Sequence, residues 1–272
     1  MRSVPSIKLG NFTIPQVGLG VWQVENVAQF NQAFSSALEA GYRHFDSAQI
    51  YKNEQMLGDA WVASDVKRED LFLTTKVWLD NFPAGRLKRS VDESLKKLQT
   101  NYIDLILLHF PVTGLRKGAW KALEAIKAEG KVRNIGVSNY TIRHLEAMKK
   151  YAVELPVINQ VELHVFLQQP ELITYCREND IVLEAYSPLA HGKELGNETV
   201  QRLATKYGKS YAQIMLRWCI EEGLVVLPKS VTPSRIQENI DIFNFELTSD
   251  DLQDLGRCDR GLRTCWNPTL VP

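Results

Sequence analysis

The chain is poor in the features that mark export, membranes or bound metal. It has 4 cysteines in 272 residues. Cys176, Cys219, Cys258 and Cys265 form no C-x-x-C pair and no zinc-like spacing. We read them as free thiols of a reducing compartment. The longest apolar stretches, such as Leu105-Ile106-Leu107-Leu108, are far too short to cross a bilayer. Residues 1–15 lack the apolar core of a secretory signal. Neither charge sign predominates, with Lys plus Arg and Asp plus Glu at 32 each. No overall field therefore steers the chain to nucleic acid or membrane, and any bound anion needs a local basic cluster. The expectation is a cytoplasmic protein without nucleic-acid or membrane partners.

What the chain has is a regular alternation. Strand-like segments lie near Val17–Leu19, His44–Asp46, Leu71–Lys76, Asp104–His109, Val132–Val137, Val157–Gln160, Ile181–Ala185 and Val225–Pro228. Most are short and continuously apolar, as parallel strands covered on both faces are. Amphipathic stripes fill the gaps, for example Leu95 with Leu98 and Leu123 with Ile126. Eight strands with helices between them predict an α/β fold, a (β/α)8 TIM barrel over residues 1–272 as one domain. Two accessory helices are expected, one of the pair Glu198–Tyr207 and Tyr211–Glu222 and a last one near Asp250–Cys258, capped by Thr248-Ser249. Ile7–Leu9 and Phe12–Ile14 flank Gly10-Asn11 and predict an N-terminal β-hairpin that plugs the barrel's bottom. A self-contained barrel with a balanced surface points to a monomer.

Barrel enzymes carry their chemistry at the C-terminal ends of the strands. Those positions here hold Asp46, Lys76 with Trp78, His109, Ser138 with Asn139, Gln160 with Glu162, Tyr186 with Ser187, and Lys229 with Ser230. Phe72, Thr74 and Lys76 share one strand face. If that face points inward, the Lys76 ammonium needs a partner, and Asp46 on the adjacent strand is the natural one. A structural ion pair would explain both residues. Tyr51, on the loop after Asp46, favours chemistry: a phenol beside an ammonium is expected to have its pKa lowered, as suits a general acid. His109 closes a hydrocarbon strand and reads either as a packed core residue or as a donor to a substrate oxygen.

A second cluster follows the last strand. Thr232 suits a helix N-cap and Pro233 a first helical position, so Lys229, Ser230 and Arg235 surround a helix N-terminus. That is either a capped surface helix with solvated cations or a phosphate clamp. Gly18-Leu19-Gly20 lacks the third glycine of a dinucleotide-binding fingerprint. His109 is the only histidine that clearly ends a strand, so no metal site is expected.

Three stretches together resemble the aldo-keto reductase family: Gly41 to Gly58, Arg133-Asn134-Ile135-Gly136-Val137-Ser138-Asn139-Tyr140, and Leu227 to Asn239. The resemblance covers essentially the whole chain, and the length and the short segment after His109 are similar to those of small prokaryotic reductases acting on diketogluconate or methylglyoxal. It implies an NADPH-dependent reductase of aldehydes and ketones, with a small-molecule carbonyl as substrate. By matching positions it implies a catalytic tetrad of Asp46, Tyr51, Lys76 and His109. It implies that Ser138, Asn139 and Gln160 hold the nicotinamide carboxamide and that Tyr186 stacks on the ring. Ser187 and Leu189 match pyrophosphate contacts. Lys229, Ser230 and Arg235 match the 2′-phosphate site, and Glu238 and Asn239 match adenine contacts. Trp22 and Trp78 match pocket walls. One departure is Phe110, where the family usually has Trp; it removes a hydrogen-bonding indole from the pocket. The short segments Val112–Lys117 and Cys258–Pro272 imply an open pocket. The alternative is a nucleotide-binding regulatory or structural barrel with little turnover.

Overall fold

Every residue of Phe72–Val77 and Ile103–Leu108 is buried, because one face of each strand lines a barrel interior and the other lies under helices. The computed structural model describes residues 4–272; the first three, part of the stretch read for a signal, lie outside the described residues. Eight parallel strands run around the barrel: β3 (Gly18–Gly20), β4 (His44–Asp46), β5 (Phe72–Val77), β6 (Ile103–Leu108), β7 (Val132–Ser138), β8 (Ile158–Glu162), β9 (Val182–Tyr186) and β10 (Val225–Leu227). Each pairs with the next in sequence order. Parallel bridges Val17–Val226 and Gly20–Lys229 close the last strand on the first. Strands β8 and β9 run beyond the ends expected from sequence, because Glu162 still pairs with Tyr186.

Helices α1 (Val27–Ala40), α2 (Glu54–Val62), α3 (Ala84–Lys97), α4 (Arg116–Ala128), α5 (Ile142–Met148) and α6 (Pro170–Glu178) follow the first six strands in turn. Then come α7 (Glu198–Tyr207), α8 (Tyr211–Glu221), α9 (Pro233–Ile240) and α10 (Ser249–Gly256). One of α7 and α8, and α10, are therefore additional to the barrel, as the sequence predicts. Their ends follow capping chemistry. Asn26 caps α1 through Gln29 N, and Gly41 ends it in the left-handed region at φ 103°. Reciprocal capping boxes start α8 (Ser210 with Gln213) and α10 (Thr248 with Asp251). Thr232 sits at the α9 N-cap, yet its side chain makes no cap bond; the Ser230 hydroxyl instead accepts from Thr232 N at 3.1 Å.

The hairpin of β1 (Ser6–Leu9) and β2 (Phe12–Pro15) closes the bottom of the barrel. Phe12 and Ile14 pack there with Phe72, Leu105, Ile158, Val182 and Val225. Above that apolar floor the interior turns polar, with His44, Thr74 and Glu184 fully buried. Gly18 makes room for this layer, since a Cβ there would lie 2.6 Å from His44 Nδ1. The wet chemistry of the upper barrel is thus sealed from below.

Gly58 lets α2 dock on the end of α3. A Cβ at Gly58 would stand 2.1 Å from the Lys97 carbonyl oxygen, which is backbone and cannot swing aside. Gly58→Ala should destabilise the fold by about 1–3 kcal/mol, the range for overpacking, seen as a lower urea midpoint at unchanged slope. An unchanged midpoint would show that the two helices are free to separate.

Candidate active site

Asp46 ends β4, and Lys76 lies one residue from the end of β5, the neighbouring strand. Lys76 is 0% exposed. Its ammonium donates to Asp46 Oδ1 at 2.5 Å, to the Ser47 carbonyl at 2.9 Å and to the Tyr51 hydroxyl at 3.4 Å. Burial pulls the Lys76 pKa down, but Asp46, Tyr51 and Glu184 together outweigh it, so the pKa is raised and the ammonium stays charged.

The loop carrying Tyr51 is tied down by residues that sequence reasoning passed over. Buried Asn53 donates to the carbonyls of Val21 and Val24 and accepts from the Ser47 hydroxyl at 2.7 Å. Gln49 reaches the other way. Its amide oxygen accepts from Trp78 N and Asn81 Nδ2, and its nitrogen donates to Ser90 O and Ser94 Oγ. A short 3-10 turn over Gln49–Tyr51, ending at Lys52 with φ 58°, then aims the phenol inward.

The expected lowering of the Tyr51 pKa does not hold. Burial raises it, and the opposing attraction of Lys76 is the smaller effect. Tyr51 is therefore a firmly protonated phenol in this cavity. His109 is also buried, with its ring edge-on to Tyr51 at 5.8 Å and to Trp78 at 5.3 Å between centroids. Burial, reinforced by Lys76, holds its pKa well below the usual imidazole value, so the ring is neutral. Nδ1 has no hydrogen-bond partner among the described residues. A buried lone pair without a partner is less costly than a buried N–H without one, so the proton belongs on Nε2.

Ser138, Asn139 and Gln160 form one connected patch next to Asp46, Tyr51, Lys76 and His109. Asn139 donates to the His109 carbonyl and to Ser138 Oγ, each at 3.0 Å, and accepts from the Tyr186 hydroxyl at 2.8 Å. Ser138 Oγ donates to the Gln160 carbonyl at 2.9 Å. The Gln160 amide nitrogen spends both hydrogens on carboxyl groups, Asp46 Oδ2 at 2.8 Å and Glu184 Oε2 at 2.7 Å. Its amide oxygen is left for the cavity.

Glu184 was missed, although a carboxyl within Val182-Leu183-Glu184-Ala185-Tyr186 was a visible signal. Burial and then the nearby Asp46 raise its pKa to about 8. Burial also raises Asp46, against the pull of Lys76 and Gln160. Both oxygens of Asp46 accept a donor, so we assign the shared proton to Glu184.

A cavity of about 980 Å³ runs from this site along the barrel mouth. Asp46, Tyr51, His109, Ser138, Asn139 and Gln160 line one end. Trp22, Tyr186, Ser187 and Leu189 line its middle. Lys229, Ser230, Arg235, Glu238 and Asn239 line the far end. Lys76 sits behind Tyr51 rather than on the surface of the cavity. Lys229 and Arg235 are exposed and pair with no carboxylate among the described residues. Glu238 accepts from the Ser210 hydroxyl.

The short tail, from which an open pocket is expected, brings Trp266 to the site. Its indole lies 5.7 Å from Trp78, 5.8 Å from His109 and 6.1 Å from Phe110, centroid to centroid. The tail thus places an indole beside the Phe110 ring. Nothing in the local sequence around Trp266 marks it as a pocket residue.

A model of the aldo/keto reductase family matches residues 16–260. Methylglyoxal reductase DkgA of Escherichia coli (strain K12) is 44% identical over 274 residues, covering 98% of each chain. Glyoxal reductase of Bacillus subtilis (strain 168) is 42% identical, covering 97% of this chain and 96% of that one. A crystal structure of an aldo/keto reductase from Brucella melitensis superposes with a TM-score of 0.90 at 45% identity, over 94% of this chain and 100% of that one. One of a Bombyx mori aldo-keto reductase in complex with NADP gives 0.91 at 33% identity, over 97% and 95%. Among the described residues no helix is long and apolar enough to cross a membrane.

The Glu184 proton has a consequence for stability. The folded chain holds that proton up to about pH 8, whereas the unfolded chain releases it near the ordinary value of 4.5. The stabilisation is complete below pH 4.5 and is lost as pH rises to 8. Measured against Glu184→Gln, wild-type stability should fall by on the order of 3 kcal/mol between pH 5 and pH 8. Parallel stability curves for the two proteins would place the proton elsewhere.

Proposed function

Because the chain belongs to the aldo/keto reductase family, we propose that it is an NADPH-dependent reductase of small aldehydes and ketones, with Tyr51 as general acid. The observation that carries this reading is the Tyr51 hydroxyl held 3.4 Å from the Lys76 ammonium, beside a neutral His109, on one cavity. The cofactor, when bound, supplies the hydride. Tyr51 gives its proton to the carbonyl oxygen as charge develops there. The Lys76 ammonium, anchored by Asp46, stabilises the tyrosinate left behind. His109 donates from Nε2 to the same oxygen and fixes the carbonyl in place.

The residues present fit such a cofactor. The spare amide oxygen of Gln160 and the second lone pair of Asn139 Oδ1 suit a carboxamide N–H, with Ser138 bracing Asn139. Half-buried Tyr186 offers a ring face for stacking. Ser187 and Leu189 lie midway, where a pyrophosphate would pass. Lys229, Ser230 and Arg235 gather at the start of α9, where backbone N–H groups and two unpaired cations favour a 2′-phosphate. Glu238 and Asn239, one turn on, suit the adenine. Trp266 gives the carbonyl end an aromatic lining suited to a small carbonyl such as methylglyoxal, and Trp22 lines the cavity farther along; Trp78 and Phe110 pack against Trp266 without lining the cavity themselves. The named activities of the bacterial relatives support that substrate class.

Tyr51→Phe should lower kcat for methylglyoxal by about 10²–10⁴-fold, followed as NADPH oxidation, with NADPH affinity within about twofold of wild type. Wild-type turnover in that variant would remove Tyr51 from the reaction. Each charge-assisted bond to a phosphate contributes roughly 1.5–3 kcal/mol, so the pair Lys229 and Arg235 should give NADPH about a 10²–10⁴-fold advantage over NADH. Replacing both residues with Ala should abolish that preference while leaving NADH affinity nearly unchanged. Equal affinity of the wild-type protein for the two cofactors would refute the clamp.

A further inference from the structure

The segment that delivers Trp266 has no regular structure of its own between Asp259 and Asn267. Something outside it must hold it in place. One clasp lies at its far end, where His144 Nε2 meets the Val271 carbonyl at 2.8 Å and Arg116 donates to the Pro272 carbonyl at 2.6 Å. The other lies immediately before the indole. Glu162, at the end of β8, is 0% exposed. Its Oε1 accepts from both Thr264 N and Thr264 Oγ1 at 2.6 Å, and its Oε2 accepts from Cys265 N at 3.1 Å. Arg263 stands 3.8 Å away and His164 3.4 Å away. Burial opposes ionisation of this carboxyl, but His164, Thr264 and Cys265 together outweigh it and hold the pKa at about 2. The carboxyl of this latch is therefore ionised at neutral pH.

We infer that Glu162 is a positioning residue for the carbonyl pocket: by fixing the backbone at Thr264 and Cys265 it holds Trp266 against Trp78, His109 and Phe110. It does not itself line the cavity. It acts on the cavity through the segment it holds, Thr264, Cys265 and above all the Trp266 indole, all of which line it. This rests on the reading of Trp266 as a pocket wall. The chemistry explains why a carboxylate is used. Only an acceptor with two oxygens and no hydrogen can take three convergent donors from consecutive residues, and an amide would turn an N–H toward one of them.

The test is a double-mutant cycle on the full chain, with methylglyoxal as substrate and NADPH in excess. Glu162→Gln keeps the shape and disrupts the latch. It should raise KM for methylglyoxal about tenfold, as the loss of a charge-assisted hydrogen bond would, with kcat and NADPH affinity within about threefold of wild type. Trp266→Ala should raise KM at least as much. The double variant should fall well short of the product of the two single effects, because the indole that Glu162 positions is then gone. Thr264→Val, which removes one donor and leaves the strand untouched, should raise KM by a smaller factor and keeps the question open to measurement if Glu162→Gln folds poorly. A raised KM in Trp266→Ala with wild-type values in Glu162→Gln and Thr264→Val would overturn the latch. So would full additivity in the double variant, which would mean that Glu162 acts by another route. A wild-type KM in Trp266→Ala would overturn the pocket wall, and the latch with it.

Discussion

The contact on which this structure depends is the ion pair between Lys76 and Asp46 inside the barrel. Two charges removed from water cost several kcal/mol each after relaxation, and such pairs survive only with close geometry and full hydrogen bonding. Here the ammonium is saturated by a carboxylate, a carbonyl and a phenol. The carboxylate is in turn braced by Gln160, which also bridges to Glu184. The hairpin floor below keeps water from reaching this chain from underneath. The arrangement is expensive and would be hard to explain as a stability device, since well-packed apolar residues would serve a barrel core at least as well.

The same burial changes what Tyr51 is. A Coulomb argument from Lys76 alone predicts a lowered pKa, and it errs by leaving out the desolvation of a phenolate. With desolvation included the pKa rises, so the hydroxyl keeps its proton at neutral pH. Lys76 therefore does not ionise the phenol in advance. His109 follows the same logic, since burial and the nearby ammonium keep it neutral and able to donate. One low-dielectric chamber thus holds one full cation, one full anion and a set of neutral donors.

Around that chamber the loops divide the labour. Gln49 and Asn53 fasten the Tyr51 turn to neighbouring loops, and Glu162 fastens the final strap. The strap brings Trp266 over the site beside Phe110, so an aromatic wall is built from a distant part of the chain. The far end of the cavity is built differently, from exposed cations and a helix start that need no such bracing because water already surrounds them.

The amino-acid order by itself determined the barrel, because strand and helix periods are local properties written over a few residues each. The hairpin, the accessory helices and the α10 cap were legible for the same reason, and so were Asp46, Lys76 and His109 at strand ends. Tyr51, Ser138, Asn139 and several residues from Lys229 to Asn239, which line the same cavity, lie in the motif-bearing stretches. Tertiary structure alone decided three things. It set the direction of the Tyr51 shift, because desolvation depends on everything packed around an atom. It made Glu184 a proton holder, because that follows from its burial and then from Asp46 lying across the barrel rather than from any neighbour in sequence. It also put Trp266 on His109, because a strap without secondary structure takes its path only from where distant donors and acceptors such as Glu162, Arg116 and His144 catch it.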